Sequence, residues 1–77
     1  LRSVSLSMIP KGSKAVVVSI LGGRGLMSRL MQMGLTPGTE VEVIENRAGP
    51  ILIRVRGTVI ALGRGVASKI IVSPLYR

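Results

Sequence analysis

Arg29–Gly38 reads RLMQMGLTPG, and this stretch holds the end of a helix, its cap and the turn into a strand. Leu26, Leu30 and Met33 recur at i, i+4 and i+7, with Met27 and Met31 beside them, which is the period of one amphipathic helix over about residues 24–34. Gly34 stands where a left-handed cap is needed, Leu35 can close the accompanying apolar contact, and Pro37 blocks continuation. Thr36-Pro37-Gly38-Thr39 then has Pro and Gly at the central positions of a type II turn. Met27, Met31 and Met33 are expected to pack in the core, since flexible thioethers fill irregular gaps.

Outward from this stretch the pattern is that of strands. Upstream, Lys14–Ile20 (KAVVVSI) is rich in β-branched residues and bounded by Gly12 and Gly22-Gly23. Before it, Pro10-Lys11-Gly12 reads as a type I turn with Pro second and Gly last, and the ordered part is expected to begin there. Downstream, Thr39 to Val43 alternates polar and apolar, with Val41 and Val43 inside and Glu40 and Glu42 in water. Ile44 breaks that alternation, so either a bulge resets the face or the strand end twists out of the core. Ile51, Ile53 and Val55 share one face of the next strand, and Gly57-Thr58 is expected to form a two-residue II′ hairpin into TVIAL. The segment GRGVASK predicts a short helical turn near 63–68, and Ile70, Ile71 and Val72 supply the last strand. The class is mainly β: about five strands with one inserted helix, and a small barrel is favoured because closure removes exposed edges.

Composition bounds the function. The chain has 77 residues, room for one domain spanning 1–77. There is no Cys or His, and the side-chain carboxylates are Glu40, Glu42 and Glu45 alone. Hydrolytic triads, carboxylate pairs and zinc or iron sites need residues that are missing here, so neither enzyme chemistry nor a resident cofactor is expected. Glu40 and Glu42 project from one strand face, yet two carboxylates without a third ligand hold a hard cation weakly, and no high-affinity metal site is expected. Eleven Lys and Arg against three Glu give a net charge of +8, which favours an acidic or polyanionic partner. No apolar run approaches the roughly 20 residues of a membrane span, and no secretory signal is read at the start, so a cytoplasmic location is expected.

The order G-x-x-A-x-V, a Gly-Gly turn, L-x-x-R-L-x-x-M-G-L-x-P-G-x-x-V-x-V, an I-x-V-x-G hairpin and an A-L…A-x-x-I-x-V ending resembles the FeoA family over nearly the whole chain. The resemblance implies an SH3-like barrel with an inserted helix. It implies a cytosolic accessory protein of ferrous iron uptake that acts with the FeoB-type membrane GTPase and permease, meeting the membrane only through that partner. A similar module ends metal-dependent repressors of the diphtheria toxin repressor class; no DNA-binding helices precede it here, so the free-standing form is expected. Gly63-Arg64-Gly65 departs from a common family ending in which more regular helix formers occur.

Arg24, Arg29, Arg54, Arg56 and Arg64 are the candidate partner-binding residues. Arg24 and Arg29 flank or ride the helix, and the other three are expected on an outer basic surface. They read either as ordinarily solvated charges or as a docking face whose guanidinium forks suit carboxylates on the permease. An arginine finger for the partner GTPase is a narrower form of that reading, with no residue marked for it. Nucleic acid is the rival partner by charge, but with Tyr76 as the one aromatic the chain lacks residues for base stacking. Self-association is a separate expectation, because small domains bury only about 60% of their unfolded-chain area.

Overall fold

The computed structural model describes residues 2–75, so Tyr76 lies outside the described residues. The elements are β1 (Val4–Ser5), a 3₁₀ turn (Leu6–Met8), β2 (Lys14–Ile20), α1 (Arg24–Gln32), β3 (Glu40–Glu45), β4 (Ile51–Val55), β5 (Thr58–Leu62), α2 (Arg64–Ala67) and β6 (Ile70–Pro74). All the strands are antiparallel in one sheet ordered β1-β6-β2-β3-β4-β5. The sheet curls about one core as a mainly β, SH3-like small barrel. Among the described residues no helix is long and apolar enough to cross a membrane.

The core follows the pleat. Val41 and Val43 of β3, Ile51, Ile53 and Val55 of β4, and Ile70 and Val72 of β6 are buried, and among the described residues no polar or charged one joins them. Two bulges keep this face apolar. In β2 the register passes from Val17↔Val72 to Ser19↔Ile71, so Val18 is the extra residue, half in solvent, and Ile20 returns to the core. In β3 the register passes from Val43↔Ile53 to Glu45↔Leu52, and the extra residue Ile44 turns Glu45 away from the core. Of the two possibilities read at Ile44, the bulge is the one that forms.

The fold corrects four expectations. There are six strands, because the segment before Pro10 is built in. Val4 and Ser5 pair with Val72 and Ile71, and Leu6 and Ile9 are completely buried. The first turn is shifted by one residue: Ser13 N–H donates to Pro10 O at 3.1 Å, with Gly12 at φ +88° in the third position, the type II arrangement instead of type I. The hairpin turn is likewise one residue earlier, at Arg56-Gly57, with φ +52° and +79°. Positive φ at both central residues makes it type I′, not II′. Finally, the ladder leaves β5 paired on one side only, so the barrel keeps an edge there.

The helix ends as expected. Leu35 N–H donates to Leu30 O and Gly34 N–H to Met31 O, both at 3.0 Å, which is the paired hydrogen bonding of a Schellman cap. Gly34 takes φ +96°, a conformation that costs a residue with a Cβ roughly 1–2 kcal/mol. The Thr36–Thr39 turn forms as type II, closed by Thr39 N–H to Thr36 O at 3.0 Å.

Candidate functional site

The acidic side chains are all engaged in ion pairs. Lys14 and Arg54 flank Glu42 across the ladders, and Arg54 Nη1 bonds Glu42 Oε1 at 3.0 Å. Lys14 Nζ reaches Glu40 at 3.8 Å, while Glu45 is bonded by Lys11 at 3.2 Å and Arg47 at 3.0 Å. Among the described residues no group of three or more His, Cys, Asp or Glu side chains converges. The outer face of β2-β3-β4 is therefore electrically self-contained, and its pairs are exposed enough to be worth little individually.

The five candidate arginines part company here. Arg54 is committed to Glu42. Arg64 donates through Nη1 to Arg47 O and to Gly49 O, the latter at 3.2 Å, and so ties the β3–β4 loop to α2. Arg29 lies in the last turn of α1, where a cation faces the negative end of the helix dipole. Each of these three has a local structural task. Arg24 has none, Arg56 lies over the C-terminal cap of α1 beside Gly34, and among the described residues neither side chain forms a hydrogen bond or ion pair.

Both stand where an arginine costs stability. Arg24 opens α1 behind the N-cap Gly23, which offers no side-chain hydrogen bond, and the first turn holds no acid. A positive charge there opposes the helix dipole. Arg56 is the one non-glycine residue with positive φ among the described residues, at a position that Asn, Asp or Gly occupies more easily. Local rules broken in this way are expected where function, not folding, has set the residue.

The same two arginines border one surface feature. A shallow, open depression runs along the outside of α1 past Arg24, Met27, Ser28, Met31 and Gln32. A second, of about 420 Å³, lies between the end of α1 and the β4–β5 hairpin, with Met33, Arg56, Thr58 and Ile60 among its walls. The two meet at Met31 and Gln32. Met31 is 41% exposed and Met33 39%, which corrects their expected place in the core; Met27 is partly buried against it. The stripe read in the helix is real, but only Leu30 of α1 is fully covered by the barrel. The missed signal was Arg-Gly, since an arginine before a hairpin glycine sets a charge on a left-handed backbone.

Comparison with known proteins agrees with this architecture. The FeoA domain model matches residues 4–74. A relative from Methanocaldococcus jannaschii, named Fe(2+) transport protein A, is 42% identical over 67 residues, covering 87% of this chain and 82% of its own. The crystal structure of an iron uptake regulatory protein, FeoA, superposes with a TM-score of 0.91 at 43% identity, covering 96% of this chain and all of its own. The FeoA of Stenotrophomonas maltophilia, solved with zinc and described as an SH3 domain protein, superposes at 0.81 with 29% identity, over 91% of this chain and 89% of that one. With the six-stranded sheet, the capped helix and the matched residues all in agreement, this chain belongs to the FeoA family of ferrous iron transport proteins.

Proposed function

We propose that this protein is a cytosolic accessory factor of ferrous iron uptake that docks on the FeoB-type membrane GTPase and permease and modulates its activity, without catalysing a reaction itself. Family membership supports the uptake setting. The observation that carries the docking reading is the pair Arg24 and Arg56, held at stability-costing positions on either side of an exposed methionine cleft. Exposed Met and uncompensated Arg are residue types enriched where proteins bind one another. The face offers positive charge and apolar surface and contains no carboxylate, so it suits an acidic, partly apolar patch.

The test is retention of this chain by the cytosolic part of a FeoB-type permease, with GTP analogue, with GDP and without nucleotide. Retention that weakens as salt is raised supports docking through this face. Absence of retention in every nucleotide state overturns it.

A further inference from the structure

The two ends of the sheet are built differently. At one end β1 is two residues long, and an edge that short offers little to pair with. At the other end β5 has five residues, TVIAL, with no charge, no proline and an unbroken register against β4 from Val55↔Thr58 to Ile51↔Leu62. The usual guards of an exposed edge are absent from it.

The register fixes which backbone groups are free. In a two-residue hairpin the residues flanking the turn form a hydrogen-bonded pair, and such pairs alternate along the ladder. Thr58, Ile60 and Leu62 therefore bond to β4, while the N–H and C=O of Val59 and Ala61 point outward. No described backbone or side-chain group takes them up, and Val59 and Ala61 are both exposed. Beside this edge, Thr58 and Ile60 form one wall of the cleft whose other wall is Met31 and Met33 of α1. A strand laid along β5 would alternate its side chains between the outer face and that cleft.

We propose that β5 is an acceptor strand: an extended peptide segment of alternating acidic and β-branched residues adds to its free edge, with its apolar side chains in the cleft against Met31 and Met33. The extended form is set by the outward groups of Val59 and Ala61, and the apolar alternation by the cleft. The acidic character is set by a net charge of +8, which also opposes pairing with a second copy of this chain. The inference rests on the docking reading only for the partner's identity; the strand geometry is a property of this chain.

The experiment titrates the isotope-labelled chain with a capped hexapeptide of alternating Glu and Val, and with its Lys counterpart. Binding of the Glu peptide is expected to shift the Val59 and Ala61 amides and slow their hydrogen exchange, with the Lys peptide inert. Arg56→Glu, which replaces a cation beside the edge with an anion, is expected to weaken binding severalfold. Val59→Pro, which removes an outward N–H without touching the β4 ladder, is expected to abolish it. Should that variant unfold, exchange protection in the unaltered chain carries the same test. Any of four results overturns the proposal: no binding of the Glu peptide at millimolar concentration, unchanged Val59 and Ala61 amides on binding, equal binding of the Lys peptide, or protection that rises with protein concentration alone and so marks a second copy. None of these needs FeoB, so a failed titration leaves permease docking to its own retention assay, and a failed retention assay leaves the strand geometry standing.

Discussion

The outer face of β2-β3-β4 and the cleft between α1 and β5 use the same residue types to opposite ends. On the first, Lys11, Lys14, Arg47 and Arg54 close on Glu45, Glu40 and Glu42, and the charges are spent within the molecule. On the second, Arg24 and Arg56 form no side-chain ion pair among the described residues, while Met31 and Met33 stay half in solvent. What an arginine does in this fold is thus decided by its neighbours: beside a carboxylate it pairs within the molecule, and beside exposed methionine it does not.

The largest effect should separate core from cleft. Ile53→Ala, at a fully buried site, is expected to lower unfolding free energy by about 2–5 kcal/mol, while Val59→Ala at the exposed edge should change it by less than about 0.5 kcal/mol. Urea denaturation of both variants gives the ratio, and similar losses would mean that the β5 edge is packed after all. Next comes Asn46→Ala. Asn46 Nδ2 donates to Ser7 O at 3.1 Å and Ile9 O at 2.7 Å, holding the N-terminal segment against the β3–β4 loop. Its loss should cost about 1–3 kcal/mol and speed exchange of the β1 amides.

A smaller loss is expected at the helix cap. Gly34→Ala puts a Cβ on a φ of +96° and 3.4 Å from Arg56 Cδ, and should cost about 1–2 kcal/mol by thermal unfolding. The smallest change should come from the self-contained face, where Arg54→Gln breaks an exposed pair worth roughly 0.2–1 kcal/mol.

How much of this was legible depended on whether the signal was local. RLMQMGLTPG declared its helix end and turn because cap and turn each need a glycine at a fixed offset, and both formed as read. The segment before Pro10 was not legible. Val4, Leu6 and Ile9 follow no local period, and their burial depends on pairing with β6, far along the chain. The Val18 bulge was hidden for a related reason, since a run of three valines has no alternation to break.

At the site, periodicity shows which face of α1 is apolar but not whether anything covers it, so Met31 and Met33 read as core residues. All five arginines were visible as charges. Which of them meet Glu42, the β3–β4 loop carbonyls or the end of α1 required the positions of those groups and the backbone of Arg56.

The central claim is that Arg24 and Arg56 are kept for a partner at a cost to the fold. It is tested most directly by one double variant, Arg24→Glu with Arg56→Asn, assayed for thermal stability and for binding to the cytosolic part of a FeoB-type permease. Relief of the helix-dipole conflict and of the left-handed backbone should raise unfolding free energy by about 1 kcal/mol, or about 4–8 °C in Tm, while binding weakens at least about tenfold. A variant that is less stable than the parent, or one that binds as tightly, would contradict the account.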